Sequence, residues 1–509
     1  MKILDCTIRD GGYYTNWDFD KDIIRRYFES MENLPIDYIE IGYRNPNLSG
    51  YFGEYYFLPE YTLKYCKELS SKNLAIILNE KDVRVEMLDD LLNPCQGIIR
   101  LVRIAIDPKN FTRALDLAKG IKERGFEVAF NVMYMSNWSD YPDMISQLEG
   151  IENIVDYFYM VDSFGGVYPS DVRSTIKMVR SKTSVALGFH GHNNLELALA
   201  NTLAAIEEGV EIVDATVTGM GRGAGNLKTE LLLTVLDQKK MIKTDFNALS
   251  ETTADFDGMQ RTYEWGTSLP YMVAGANSFP QKTVMDWILK RCYSINSIVR
   301  AIGNKVASPD YSHQFPVINS NINHEEVLII GGGPSVQEHE DGILNFIQSR
   351  KGLVLIHSSS RNAKLFQNVS VQQYLALVGN EGSRFEKVYG NLNEYNGICL
   401  LPPYPREMGT YVPIEVKPKT FELKDDDFFS LKRDTNTAIA LQTAFSLNAR
   451  KVFVVGYDGY SNVEISQAQR EIFNENDRIF ERISKEVELI TLTPSKYSFL
   501  KKHSIYQYS

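Results

Sequence analysis

Short apolar runs alternate with amphipathic stretches over about the first 240 residues of the chain. The runs are Lys2–Cys6, Tyr38–Tyr43, Leu74–Asn79, Ile98–Ala105, Val128–Met135, Tyr157–Asp162, Val185–His190 and Glu211–Thr218. They are rich in Ile, Val, Leu and Tyr, as strands buried on both faces of a parallel sheet are. Between them, Phe111–Gly125 and Leu195–Gly209 carry apolar residues at helical spacing, each ending on a glycine suited to a helix C-terminus. Eight strand–helix units in this length predict a TIM (β/α)8 barrel over residues 1–244. An open doubly wound sheet is the competing topology, but it would not as easily bring the first and seventh units together.

Residues 245–306 read as a helical extension, with Trp265, Tyr271, Phe279, Trp287 and Ile288 supplying apolar faces. A stretch rich in Pro, Ser and Asn over 307–324 reads as a linker. A new α/β pattern then fills 325–509, opening with the run Glu326–Ile330. Leu353–His357, Gly397–Leu401, Lys451–Gly456 and Leu489–Leu492 are its later strand candidates. The expectation is a separate Rossmann-like domain.

Composition narrows the function classes. The chain has 509 residues, 44% hydrophobic and 23% charged, with a formal net charge of -11. Acidic and basic residues are mixed along it, which argues against a nucleic-acid surface. No apolar run reaches the roughly 18 residues of a membrane span, and no secretory leader is read at the N-terminus. Five scattered cysteines, Cys6, Cys66, Cys95, Cys292 and Cys399, lack metal-ligand spacing and read as reduced thiols. These features together give the expectation of a cytoplasmic protein acting on a small molecule.

Two segments carry the chemistry: Asp5-Cys-Thr-Ile-Arg-Asp-Gly-Gly12, whose Gly11-Gly12 pair reads as a turn after the first strand, and Gly188-Phe-His-Gly-His-Asn-Asn194. His190 and His192 are the only histidines before residue 313. Placed two apart at a strand end, they point the same way. With the Asp10 carboxylate they make a three-ligand set able to hold a divalent metal with open positions. Arg9, Asp10, Glu40, Arg103, Asp162, Ser163 and the Gly219–Asn226 loop also fall at predicted strand C-terminal ends, the face where barrel enzymes build active sites. An arginine beside a metal suits the cleavage of a C–C bond next to a ketone. Negative charge develops there on an enolate oxygen, and a fixed cation stabilises it. Glu40 and Arg103 read either as an ion pair inside the barrel mouth or as substrate-orienting groups.

The Asp-Cys-Thr-Ile-Arg-Asp-Gly segment, the Phe-His-Gly-His-Asn-Asn segment and Gly219-Met-Gly-Arg-Gly-Ala-Gly-Asn226, in this order, resemble the DRE-TIM metallolyase superfamily. The likeness is strongest to its 4-hydroxy-2-oxovalerate aldolases. The resemblance implies that Asp10, His190 and His192 bind Mn²⁺ or Mg²⁺, with Asn226 as a further metal contact. It implies that Arg9 stabilises the enolate and that Ser163 holds the carboxylate of an oxo-acid substrate. One position departs from the family. Its general-base histidine is replaced by Tyr13, whose phenol is a poor base at neutral pH unless strongly shifted. Tyr13 then either works with a water or forms an aromatic wall for a different substrate. The expected activity is a metal-dependent aldolase working through a pyruvate-type enolate, in a homo-oligomer. The alternatives are an acyl-CoA/2-oxo-acid condensing enzyme of the isopropylmalate synthase branch, or a barrel whose C-terminal domain carries the main function.

In the second domain, Gly331-Gly-Gly-Pro-Ser335 follows an apolar run directly and reads as a strand-to-helix turn. With Thr435–Leu441 and Lys451–Gly459 it resembles the Rossmann-type domains of bacterial sialyltransferases. That likeness implies a nucleotide or nucleotide-sugar ligand at Gly331, Gly332, Gly333, Ser335 and Asp458, and a place in surface-polysaccharide synthesis. The His357 imidazole reads as a buried or surface group rather than a catalytic one.

Overall fold

A computed structural model describes the chain except residues 47, 290–294, 308–313, 319–323, 405, 407–409, 425–434, 461–466 and 509. Most of the expected linker and Cys292 therefore lie outside the described residues. The other four cysteines are buried and free. No helix among the described residues is long and apolar enough to cross a membrane. The chain divides into two compact units, Met1–Met285 and Asp286–Ser509.

The first unit is a closed barrel of eight parallel strands. They are β1 (Lys2–Asp5), β2 (Tyr38–Tyr43), β3 (Asn73–Asn79), β4 (Ile99–Ile106), β5 (Glu127–Val132), β6 (Tyr157–Asp162), β7 (Ala186–Gly191) and β8 (Ile212–Ala215). Closure is the β1–β8 pairing, with Lys2 opposite Ile212 and Asp5 opposite Ala215. Two apolar layers follow from the strand period of two. Leu4, Tyr38, Ala75, Leu101, Ala129, Tyr159 and Ile212 fill the interior. Ile3, Ile39, Ile76, Val102, Val128, Phe158 and Leu187 pack outward in the larger core. Phe111–Glu123 and Ala198–Glu207 form helices close to the expected ones.

One local expectation changes. Gly11 and Gly12 do not make a turn after β1. They sit inside a helix, Thr7–Thr15, that carries Arg9 and Asp10. Their lack of a side chain serves close packing. A Cβ on Gly12 would meet the Trp17 ring at 2.1 Å, and one on Gly11 would meet Met220 Sδ at 2.5 Å.

The second unit contains an all-parallel sheet of eight strands in the order β13-β12-β11-β10-β9-β14-β15-β16. Their ranges are β9 (Glu326–Ile330), β10 (Val354–His357), β11 (Gln373–Ala376), β12 (Ile398–Leu401), β13 (Thr420–Glu422), β14 (Lys451–Val455), β15 (Leu489–Thr491) and β16 (Lys501–Lys502). Apolar clusters cover both faces of this sheet. The helix Ile295–Ala307 belongs to this unit, so the division lies upstream of the linker expected from composition. The reason is its packing: Asn296, Ser297 and Arg300 line a cavity shared with loops of the second sheet.

Candidate metal and oxo-acid site

The barrel strands bring the charged residues to one mouth. Arg9 and Asp10 arrive on the helix after β1, Glu40 on β2, Arg103 on β4, His190 on β7 and Asp214 on β8. His192 follows β7 and forms an isolated bridge with Asn226. Arg9, Asp10, His190 and Asn226 are all buried, whereas Tyr13, Ser163 and His192 are half-buried at the open side.

The two imidazoles are oriented from behind. His190 Nδ1 lies 2.7 Å from Asp214 Oδ2, and His192 Nδ1 lies 2.8 Å from the Asp162 carbonyl oxygen. Both partners are acceptors, so each Nδ1 is the protonated nitrogen and each Nε2 is left as a free lone pair. This is the arrangement that holds a metal-ligating histidine in its tautomer and ring orientation. His190 Nε2 stands 3.8 Å from Asp10 Oδ2, and the two rings are 5.0 Å apart. Burial, then the neighbouring His190, pushes His192 down to about 3, so it is neutral at physiological pH. Burial pulls the Asp10 carboxyl upward, but Arg9 and the two imidazoles outweigh it and keep it below the usual range. Asp10 and His192 are thus in the states that coordination requires.

Asn226 completes the set. Its Nδ2 donates to Asp10 Oδ2 at 2.7 Å, while its Oδ1 is buried with no protein partner. A buried carbonyl oxygen without a donor is costly, and a divalent ion satisfies it. The residues therefore fit the metal that the motif implies. Cys6, His190 and Asp214 also bring potential ligand atoms within 4.8 Å of one another. That cluster is the weaker candidate. Burial pushes the Cys6 thiol well up, and Asp214 Oδ2 is already committed to His190 and Arg103.

Glu40 and Arg103 are placed beneath the ligands rather than at the open face, and both are fully buried. Arg9 Nε donates to Glu40 Oε2 at 2.5 Å, and its NH1 pairs with Asp10. Arg103 reaches Glu40 Oε1 at 3.3 Å and Asp214 Oδ2 at 2.5 Å, with its guanidinium 4.3 Å from the Tyr159 ring centre. An alternating chain results: Asp10, Arg9, Glu40, Arg103, Asp214, His190. Both side chains thus stand in buried ion pairs, one of the two alternatives read for them, while Glu40 Oε1 and Arg103 NH1 have no hydrogen-bond partner.

The Gly219–Asn226 segment folds back on itself. The N–H groups of Gly219, Met220, Gly225 and Asn226 donate to carbonyls within Thr216–Arg222. The segment delivers Asn226 to Asp10 and lays Arg222 4.0 Å from the Tyr13 ring centre. Gly225, at φ +77°, permits this fold-back, since a Cβ there would meet the Gly219 carbonyl oxygen at 2.1 Å. The Tyr13 hydroxyl is 2.9 Å from the Tyr43 hydroxyl, and its ring stands edge-on to Trp17 at 5.0 Å. Ser163 Oγ accepts the Tyr134 N–H at 2.8 Å, leaving its own proton to donate.

Asp214 was not identified from sequence, and Asp162 was placed at the strand-end face without a role. Each is a single carboxylate at the end of an apolar strand, the one signal available. Burial pushes Asp162 up to about 6 against the backbone N–H groups of Gly166 and Val167.

A profile of the HMGL-like family matches residues 92–255, which include both histidines, Asp162, Asp214 and Asn226. An oxaloacetate decarboxylase of Mycobacterium tuberculosis is 29% identical over 248 residues, covering 47% of this chain and 70% of the relative. A 4-hydroxy-2-oxovalerate aldolase of Carboxydothermus hydrogenoformans is 32% identical over 243 residues, 46% of this chain and 70% of the relative. The N-terminal domain of a protein provisionally named an aldolase from Bacteroides vulgatus is 52% identical in its crystal structure. It superposes with a TM-score of 0.57 over 59% of this chain and all of that one. The carboxyl transferase domain of Rhizobium etli pyruvate carboxylase shares the fold alone, at 17% identity and a TM-score of 0.50, over 62% of this chain and 56% of that one. With aldolases above 30% identity matched over two thirds or more of their length, the N-terminal half of this chain belongs to the HMGL-like family of DRE-TIM barrels.

Proposed function

We propose that the barrel is a divalent-metal-dependent carbon–carbon lyase that releases pyruvate from a 4-hydroxy-2-oxo acid or a carbohydrate-derived relative of one. The observation that carries this reading is the convergence of Arg9, Asp10 and the two free Nε2 edges on one side of a closed barrel. Its relatives are named for an aldol cleavage and for a decarboxylation. Both reactions pass a developing carbanion next to a ketone through an enolate, so one electrostatic site serves either.

Asp10, His190 and His192 would hold the ion, with Asn226 Oδ1 beside them. When bound, a divalent cation polarises the substrate's ketone as a Lewis acid. Arg9 uses Nε on Glu40 and NH1 on Asp10, which leaves NH2 to face the enolate oxygen with a charge that cannot titrate. Ser163 donates its hydroxyl proton to the substrate carboxylate. Tyr13, pinned between Tyr43, Trp17 and Arg222, orients the substrate hydroxyl from which the proton leaves. The preceding histidine-type base is absent, so this phenol positions and a water or the substrate carries the proton away.

The direct trial supplies purified full-length protein with Mn²⁺ or Mg²⁺, a panel of 4-hydroxy-2-oxo acids and oxaloacetate, and couples pyruvate release to lactate dehydrogenase. Release that stops with chelator, and stops in His190→Ala/His192→Ala together with metal retention, is the expected result. Metal content and turnover unchanged in that double variant would sink the reading. Free thiol appearing from acetyl-CoA would move the protein to the condensing branch.

A further inference from the structure

The order of strands in the second sheet reverses between β9 and β14, since the chain runs from β9 outward to β13 and returns to β14 on the other side. At such a reversal the loops leaving the two central strands diverge, and a crevice opens at their carboxyl ends. A cavity of about 850 Å³ lies there, lined by loops after β9, β10, β11 and β14. That is ample for a ligand of nucleotide size.

The geometry moves the ligand away from the glycine turn. Gly331 and Gly333 donate their N–H groups to Val455 O at 2.8 Å and Gly456 O at 2.9 Å. Asp458 takes both the Ser335 N–H, at 3.0 Å, and the Ser335 hydroxyl, at 2.5 Å. An anion already stands where a phosphate would sit, and it belongs to the protein. Gly332, Gly333 and Asp458 line the cavity, while Gly331 and Ser335 do not. The expected phosphate turn is thus a bolt joining β9 to β14.

The charges on the other walls are unequally spent. Glu381 accepts from the Ser360 N–H and hydroxyl, both at 2.6 Å, from Asn436 Nδ2 at 3.1 Å and from Arg384 at 3.0 Å. Glu381 and Asp458 are therefore consumed internally, and Arg384 with them. Arg300 and Arg361 are the other cations of the lining. Arg361 is exposed, and the bond described for it goes to a neutral carbonyl, Gly332 O, at 3.2 Å. Around it the wall is amide and hydroxyl: Ser359, Asn380, Thr437 and Asn476, with the half-buried Tyr460 ring at the edge.

We propose that this cavity is a second ligand site, for a phosphate ester of a hydroxyl-bearing ring, with the phosphate at Arg361 and a ring hydroxyl at the Asn380 amide, since Asn476 already pairs with Thr437 and Tyr497. A ribonucleotide and a sugar phosphate share this chemistry. The site stands on the second unit alone, so its failure leaves the lyase reading intact.

Calorimetric titration of the full chain tests it, using AMP, CMP, UDP, GDP and glucose 1-phosphate, with adenosine, uridine, glucose and inorganic phosphate as controls. At least one phosphate ester is expected to bind at millimolar concentration or tighter, and its dephosphorylated form roughly tenfold more weakly. Arg361→Glu, an exposed change that spares the core, is expected to weaken it by about tenfold or more. Hydrogen exchange with the same ester should slow in segments 356–361 and 378–384. Nucleotides binding and glucose 1-phosphate failing identifies the source, and the converse identifies the other. No binding by any ester overturns the proposal. So does inorganic phosphate binding as tightly as the esters, or binding unchanged in Arg361→Glu without protection of those segments.

Discussion

The barrel mouth and the crevice of the second sheet both sit at the carboxyl ends of parallel strands, yet they are built from different materials. At the barrel mouth six ionisable groups are stacked in contact, from Asp10 through Arg9, Glu40, Arg103 and Asp214 to His190. Around the crevice, amides, hydroxyls and backbone groups predominate, and the carboxylates of Glu381 and Asp458 brace loops. Fixed, desolvated charge suits stabilising charge that appears only in a transition state. Neutral donors and acceptors suit recognising a ligand that is not transformed. The difference teaches that strand-end position gathers polar groups, whereas the residue types decide whether they pair as buried charges or stay neutral donors and acceptors.

The sharpest way to break this comparison is to remove a charge from the middle of the chain. Arg103→Met leaves Glu40 and Asp214 buried without their shared partner. The expected loss of stability is about 3–5 kcal/mol, read by urea unfolding, with metal affinity falling as His190 loses its support. A change under 1 kcal/mol, roughly what a surface pair contributes, would show that the chain is not an energetic unit. Arg9→Ala should reduce turnover by roughly 10²–10³-fold, as removal of one oxyanion donor does, while metal binding persists. A change confined to KM would place Arg9 in ground-state binding instead.

The second unit offers an acid-side contrast. His357 is fully buried, with Nε2 2.8 Å from Gln373 Oε1, and burial pushes it down to about 4. Its folded value lies below its unfolded value near 6.5, so the unfolded chain binds the extra proton. The stability it contributes is complete above about pH 6.5 and lost as pH falls toward 4. Between pH 7 and 5 that amounts to roughly 2 kcal/mol, which His357→Gln should abolish in a pH series of unfolding curves. The smallest effect concerns Tyr13. Tyr13→Phe keeps the ring against Trp17 and Arg222 but removes the hydroxyl that meets Tyr43. About a tenfold fall in kcat with metal content unchanged is expected, and an unaltered kcat would reduce Tyr13 to a wall.

Much of this was legible in the chain because the signals are local. Strand β2 and strand β6 begin and end where the apolar runs do, and the His-x-His pair with Arg9-Asp10 carries its own spacing. What was hidden depends on partners far away. Asp214 supports His190 across 24 residues, and Asp458 fills the Ser335 amide across 123; neither separation leaves a pattern. Glu40 and Arg103 were visible as charges in apolar strands, but only the closed barrel decides that they face each other below the mouth. Gly11-Gly12 read as a turn because glycine signals both turns and close approaches, and here Trp17 and Met220 supply the approach. β13 and β16 escaped notice because they are only three and two residues long, and β16 is a lysine pair.

The alternating charge chain has a consequence for the two halves of this barrel. Arg9, Glu40 and Arg103 come from the segment up to β4, while His190 and Asp214 come from β7 and β8. A half-barrel ending at β4 would bury Arg103 with only one of its two carboxylates. The complementary half would bury Asp214 with an imidazole as its sole charged neighbour. Neither fragment balances its own interior, so each half depends on the charges of the other.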